Sequence, residues 1–289
     1  MTLVPMPRLV TEARTARRGI GAFNVITLEH AEGIVAGAEQ ARLPVILQVS
    51  ENTADYHGGL APIARATLDI AATATVDVVV HLDHATRPEL VRSAVDLGLG
   101  SVMVDASTLP HAQNVARTQA LTEQCHARGV WVEAELGEVG GKDGAHAPGV
   151  RTDPGEAAEF VRATGVDALA VAVGSSHAML TRDAVLDDAL IAEIAGRVST
   201  PLVLHGSSGV PDAGLASAVR HGVVKVNIAT HLNKAMTSAV RSALAADATL
   251  VDPRTYLGRA RTAIATEVAH LLGVLALRPA GSRLPSKGS

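Results

Sequence analysis

The sequence predicts an α/β fold, a closed (β/α)8 TIM barrel carrying one extra C-terminal helix. Three observations predict it. Short β-branched or apolar runs alternate with longer helical patterns almost end to end, which argues for parallel βαβ units. There are eight such runs, the number that closes a barrel rather than leaving an open sheet. Hydrophobic residues make up 47% of the 289 residues, but Phe, Tyr and Trp together make up only 2%. A core of Ala, Val, Leu and Ile suits buried parallel strands with helices packed on them.

The strands are expected at Ile20 to Val25, Val45 to Val49, Val76 to Leu82, Ser101 to Val104, Val130 to Leu136, Ala168 to Val173, Leu202 to Leu204 and Val223 to Ile228. Between them, Leu28 to Ala41 places Ala31, Ile34, Val35 and Ala38 on one helical face. Pro88 to Leu97 begins with Pro at the first helical position. Asp153-Pro154 supplies an N-cap and Pro at N1 for the next helix. Asp212 opens another helix, and Thr230 to Ala245 follows the last strand. The final helix, Pro253 to Leu275, is extra to the barrel count. No linker-like stretch divides the chain, so residues 1–277 read as one domain and 278–289 as a disordered tail rich in Pro, Gly, Ser and Lys.

Composition excludes several classes. One cysteine, Cys125, leaves no intramolecular disulfide and no Cys-based zinc knuckle; it reads as a buried or half-buried helix residue. The formal charge is −4, and the main basic cluster is Arg8, Arg14, Arg17 and Arg18. That is a solvated helix face rather than a nucleic-acid surface, which would be broader. The longest apolar stretches, such as Ala168 to Val173, are too short to span a bilayer. The N-terminus lacks a long apolar signal region. The expectation is a cytoplasmic protein with no nucleic-acid or membrane partner.

Barrels of this kind carry their active sites at the carboxyl ends of the strands. There the third strand ends in His81-Leu82-Asp83-His84 and the fourth in Val104-Asp105-Ala106-Ser107. The fifth carries Glu133 and Glu135, and the sixth runs into Gly174-Ser175-Ser176-His177. The seventh runs into His205-Gly206-Ser207-Ser208-Gly209, and the eighth ends Lys225-Val226-Asn227-Ile228-Ala229-Thr230. His84, His177 and His205 therefore come from three strand ends. Three imidazoles with an open position suit a catalytic Zn²⁺. Asp105 and Glu135 would orient those rings or hold a second cation. His81, inside its strand, reads as a core histidine or a group behind the ligands. The other eight histidines fall in helices or loops, mostly as surface residues. The loops after strands seven and eight open helices, and barrels commonly bind phosphate there. A metal beside a phosphate site points to chemistry on a phosphorylated carbonyl compound, with the metal polarising the carbonyl. Asp83, next to a metal ligand, is the carboxylate for proton traffic. Retro-aldol cleavage fits.

These motifs resemble class II, metal-dependent ketose-bisphosphate aldolases over nearly the whole chain. The matching strings are VHLDH at 80–84, SVMVDAS at 101–107, VEAELGEVGG at 132–141, LAVAVGSSH at 169–177, PLVLHGSSG at 201–209 and KVNIAT at 225–230. The resemblance implies reversible cleavage of fructose or tagatose 1,6-bisphosphate to dihydroxyacetone phosphate and glyceraldehyde 3-phosphate. It implies Zn²⁺ on His84, His177 and His205, with Asp105 and Glu135 beside it. Asp83 would shuttle the C4 hydroxyl proton. Gly174, Gly206, Ser208, Asn227 and Thr230 would hold the dihydroxyacetone-phosphate half. Ser50 and Arg254 would serve the distal phosphate, Arg254 reaching over from a neighbouring subunit. A homodimer or homotetramer and a monovalent cation, Na⁺ or K⁺, near the phosphate also follow from the resemblance.

Four positions depart from the family pattern. Ala178 and Leu180 stand where the family usually has Gly and Tyr. Lys142-Asp143 replaces a pair of acids in the loop after strand five, leaving Asp143 as the base at the nucleophilic carbon. Ala229 stands where fructose-bisphosphate enzymes usually carry an acid and tagatose-bisphosphate enzymes an Ala. Alternatives are a relative acting on another ketose phosphate, such as a deoxy-keto-sugar acid phosphate, and a non-catalytic sugar-phosphate binder. A Schiff-base aldolase would need Lys225 as its nucleophile. A metal hydrolase would want an HxH pair on strand one, which ends in Asn24.

Overall fold

The computed structural model describes residues 3–136, 151–175 and 181–279. Eight parallel strands close into a barrel in sequence order, with β1 paired to β8. They are β1 (Ile20–Asn24), β2 (Val45–Ser50), β3 (Val78–Ala85), β4 (Ser101–Val104), β5 (Trp131–Glu135), β6 (Ala168–Val171), β7 (Leu202–Leu204) and β8 (Val223–Ile228). Helix α1 (Met6–Thr15) precedes the barrel, and α2 (Leu28–Ala41), α3 (Glu51–Tyr56) and α4 (Leu60–Ala72) follow the first two strands. Around the rest run α5 (Pro88–Asp96), α6 (His111–His126), α7 (Pro154–Thr164), α8 (Asp188–Arg197) and α9 (Asp212–His221). The chain closes with α10 (Thr230–Ala246) and α11 (Pro253–Leu275).

Strand side chains alternate between faces, and here the alternation sorts the core into two clusters. An inner cluster holds Ile20, Ala22, Ile46, Val79, Trp131, Ala168, Ala170 and Val203. An outer one, between strands and helices, holds Phe23, Leu47, Val49, Val80, Leu82, Val132, Ala134, Leu204, Val226 and Ile228. Counting by twos from the inner set fixes what else points inward. Asn24 follows Ala22; Gln48 and Ser50 follow Ile46; His81 and Asp83 follow Val79. Glu133 and Glu135 follow Trp131, and His205 follows Val203. The lower barrel is thus apolar and the upper barrel polar.

The N-terminal arginine segment does more than solvate a surface. On α1, Met6, Leu9, Val10 and Ala13 recur at helical spacing, are buried, and belong to the inner barrel cluster. Each large side chain so buried contributes roughly 1.5–3 kcal/mol. Arg8, on the opposite face, pairs with Asp77 at 2.8 Å and with Glu12 at 3.0 Å. At the far end, α11 lies against α2. Gly37 permits the approach, since a Cβ there would sit 2.5 Å from the Ala265 carbonyl oxygen.

Two strands have carboxyl ends two or more residues from the expected position. β3 continues to Ala85, three residues past the expected stop, and its pairing with β4 shifts register between Leu82 and Ala85. β6 stops at Val171 because Thr152 takes over both backbone groups of Ala172: its N–H donates to the carbonyl at 2.9 Å and its hydroxyl accepts from the N–H at 2.8 Å. Of the expected disordered tail, Arg278 and Pro279 are described, and the Arg278 guanidinium donates to the Ala41 carbonyl at 2.9 Å; residues 280–289 lie outside the described residues. Cys125 is a buried residue of α6. His30 departs from the surface reading of the helical histidines: it is buried, and its Nδ1 lies 3.1 Å from the Thr27 hydroxyl.

Candidate active site at the carboxyl rim

The register shift in β3 places His84 at φ +49°, in the left-handed region that side chains seldom occupy. There its Nδ1 meets Asp105 Oδ2 at 2.7 Å. The other Asp105 oxygen accepts from the Ser107 hydroxyl at 2.6 Å and its N–H at 3.2 Å. Burial would raise the Asp105 pKa, but the hydrogen bonds from His84 and Ser107 hold it well below the usual carboxylate range. The His84 and His205 rings lie 4.7 Å apart, centroid to centroid. His205 sits between two carboxylates, with Nε2 3.1 Å from Glu133 Oε1 and Nδ1 3.4 Å from Glu135 Oε2.

Among the described residues, His84, Glu135 and His205 form a group able to hold a metal ion, with ligand atoms all within 4.8 Å of one another. Two imidazoles and a carboxylate are the donor set of a borderline cation such as Zn²⁺, so the chemistry of the site fits the expected metal. His177 lies outside the described residues, as do Asp143, Lys142, Ala178 and Leu180. Glu135 therefore stands with the ligand group, and Asp105 stands behind His84.

Burial would lower the His205 pKa, but Glu133 and Glu135 outweigh it and push it up to about 10. In the metal-free protein this charge adds stability that is complete below about pH 6.5, the unfolded value. That contribution is lost as pH rises through about 10. A metal needs the neutral ring, so metal and proton compete. Zinc affinity of the intact protein is expected to tighten about tenfold per pH unit between pH 6 and 8, for one proton displaced. Competition titration against a chromogenic chelator checks this; a flat profile would contradict it.

Asp83 is held from both sides. Oδ2 accepts from Asn24 Nδ2 at 3.2 Å and Oδ1 from Asn227 Nδ2 at 3.1 Å. Gln48 in turn donates to Asn24 Oδ1 at 2.7 Å. Burial would raise the Asp83 pKa, but the fields of His84, Lys225 and His205 turn it downward. Asp83 is thus an ionised, oriented carboxylate. Sequence reasoning missed Asn24 and Gln48 as site residues; the inward parity they share with Asp83 was the signal.

Below this level, Lys225 donates to Glu133 Oε2 at 2.7 Å, both buried. Lys225 does not line the cavity among the described residues, which leaves the Schiff-base reading without a nucleophile in the cavity wall. His81 is buried inside β3, with its Nδ1 2.8 Å from the Ser101 hydroxyl. Burial, with Lys225, pushes its pKa down to about 3, so the ring is neutral.

Above lies a cavity of about 710 Å³, lined on one side by Gly206, Ser207, Ser208, Asn227, Ala229 and Thr230. Ser50, Asn52, Tyr56, Thr86, Ser107 and Thr108 are among the residues that line its other side. Gly206, at φ +63°, turns the chain into the single turn Ser207–Gly209, and the Ser207 hydroxyl ties that turn to the Asn227 carbonyl. Thr230 is the first residue of α10. Ser50 caps α3, its hydroxyl accepting from the Thr53 N–H at 3.2 Å. Arg254 is not brought to this cavity within the chain: it is highly exposed and pairs with Asp252 at 2.8 Å.

Gly174 adopts φ +119°, and a Cβ there would lie 2.6 Å from the Val185 carbonyl oxygen. Gly174→Ala is expected to cost about 1–3 kcal/mol through backbone strain, read as a Tm several degrees lower by circular dichroism. An unchanged Tm would contradict the strained turn.

The chain matches the family "Fructose-bisphosphate aldolase class-II" over residues 4–278. It is 41% identical to a fructose-bisphosphate aldolase of Geobacillus stearothermophilus over 272 residues, 93% of this chain and 95% of that protein. It is 39% identical to a fructose-bisphosphate aldolase of Staphylococcus aureus over 268 residues, 91% of this chain and 94% of that protein. Its structure resembles the crystal structure of the YdjI aldolase from Escherichia coli K12, with a TM-score of 0.82 at 30% identity, covering 94% of this chain and 97% of that one. With a family match across nearly the whole barrel and relatives of this similarity, the chain belongs to the class II fructose-bisphosphate aldolase family.

Proposed function

We propose that this enzyme reversibly cleaves a ketose 1,6-bisphosphate, fructose or tagatose 1,6-bisphosphate, to dihydroxyacetone phosphate and glyceraldehyde 3-phosphate. The observation that carries the reading is the juxtaposition of His84, Glu135 and an ionised Asp83 in the wall of one cavity, with His205 buried against His84 and completing the metal group behind that wall. His84 and His205 would hold Zn²⁺, with His177 as the third imidazole and Glu135 beside them. When bound, that ion supplies a Lewis acid, which stabilises negative charge growing on the substrate carbonyl during bond cleavage.

The chain's own residues do the rest. Asp83, fixed by Asn24 and Asn227, accepts the proton of the C4 hydroxyl as the C3–C4 bond breaks. Asp143 returns a proton to the nucleophilic carbon. Gly174, Gly206, Ser208, Asn227 and Thr230 bind the phosphate of the dihydroxyacetone half, using approachable backbone and the N-terminus of α10; Na⁺ or K⁺ would sit beside it. Ser50 binds the distal phosphate. Arg254, exposed in the single chain, reaches that phosphate from a neighbouring subunit of a homodimer or homotetramer. The reading includes a cytoplasmic location; among the described residues, no helix is long and apolar enough to cross a membrane.

A panel of ketose phosphates assayed for dihydroxyacetone phosphate release tests the proposal. Turnover of fructose or tagatose 1,6-bisphosphate is expected. Ala229, in the cavity wall, makes tagatose 1,6-bisphosphate an essential arm. Release only from a substrate lacking the second phosphate would move the distal assignments of Ser50 and Arg254.

A further inference from the structure

Beneath the candidate metal group lies a second, buried layer that, among the described residues, does not line the cavity. Lys225 and Glu133 reach across the barrel from β8 and β5 and pair at 2.7 Å, with Glu133 fully buried. Glu133 Oε1, on the other side, lies 3.1 Å from His205 Nε2. His81 flanks the pair, with Nε2 3.9 Å from Glu133 Oε2. Apolar residues of similar volume are often as stable as a buried ion pair, or more so. One level down, the inner barrel uses that solution, with Val79, Trp131 and Val203. Stability alone therefore need not account for the pair.

The geometry of His205 does. Each of its ring nitrogens faces a carboxylate, Glu133 at Nε2 and Glu135 at Nδ1. A neutral imidazole carries a single N–H. With that hydrogen on Nε2, it donates to Glu133, and the Nδ1 lone pair points into the group formed with His84 and Glu135. The opposite tautomer would turn a lone pair against the Glu133 carboxylate and a hydrogen into the metal group. An acceptor behind a histidine selects which nitrogen meets the metal. Lys225, by occupying the other Glu133 oxygen, fixes where that acceptor sits. We propose that Glu133, seated by Lys225, is a positioning residue that sets the tautomer and orientation of His205, presenting Nδ1 to the metal. This inference rests on the metal reading above.

Two double variants of the full chain separate positioning from bulk structure. E133L/K225M replaces the pair with apolar groups and removes the acceptor. E133Q/K225M removes both charges but keeps an amide oxygen facing His205 Nε2. Zinc dissociation constants are measured by chelator competition, together with the Tm of the metal-free proteins. E133L/K225M is expected to bind zinc about 10–100-fold more weakly, and E133Q/K225M to recover to within about threefold of wild type. Imidazole ¹⁵N shifts of the zinc-loaded wild type are expected to report Nδ1 of His205 as the bound nitrogen. Wild-type zinc affinity in E133L/K225M, equal weakening in both doubles, or zinc on Nε2 would overturn the positioning role. Wild-type protein that binds no zinc would overturn the metal reading, and the inference with it.

Discussion

Asp83→Ala is expected to lower ketose-bisphosphate cleavage by about 10²–10⁴-fold, the range a positioned general base contributes, with zinc content unchanged. The reason lies in what holds the carboxylate. Asn24 and Asn227 each donate to one of its oxygens, and the neighbouring histidines and Lys225 keep it ionised. Such a group can accept a hydroxyl proton without first reorienting. It does not belong to the His84, Glu135 and His205 group, so its loss leaves the metal donors in place. Stopped assays of dihydroxyacetone phosphate release, with metal analysis of the same sample, check both halves. Full activity would remove Asp83 from the mechanism; loss of zinc would make it a support of the metal site.

His205→Ala is expected to lose both zinc and activity. His205 is buried at the centre of the charged barrel, between Glu133 and Glu135 and against His84. Removing even an outer partner of a metal ligand typically costs about 10–100-fold in affinity, and removing a ligand itself should cost more. Glu133 keeps Lys225 as its partner, so the barrel is expected to retain its far-ultraviolet circular dichroism. A folded variant with wild-type turnover would reject the ligand assignment.

The barrel was legible because its strands are short, aliphatic and alternate with helical patterns, and because α11 begins at an Asp-Pro cap: Asp252 accepts from the Arg254 N–H at 2.9 Å. Strand ends were less so. No local propensity marks the continuation of β3 through His84, which depends on a register shift against β4. The role of α1 was hidden because its arginines were more conspicuous than the apolar face that fills the barrel floor. In the site, acids and histidines at strand ends stood out by type. Asn24 and Gln48 did not, since a lone amide has many ordinary uses; only their inward register on β1 and β2 ties them to Asp83. Glu133 and Glu135 look alike in sequence. Two residues of depth separate them: one faces the cavity, and the other is sealed below with Lys225. The histidine count of 12 carried little information by itself. Position on the inner face carried the rest: His81, His84 and His205 sit together there, while His111, His126, His221 and His270 are exposed.

The most direct test of the central claim is chelation and reconstitution of the wild-type enzyme with fructose and tagatose 1,6-bisphosphate as substrates. Dihydroxyacetone phosphate release is expected to disappear on EDTA treatment and return with about one Zn²⁺ per subunit, the complement of a single catalytic site. Release that survives chelation but is lost to borohydride in the presence of substrate would contradict the account and return the chemistry to a lysine.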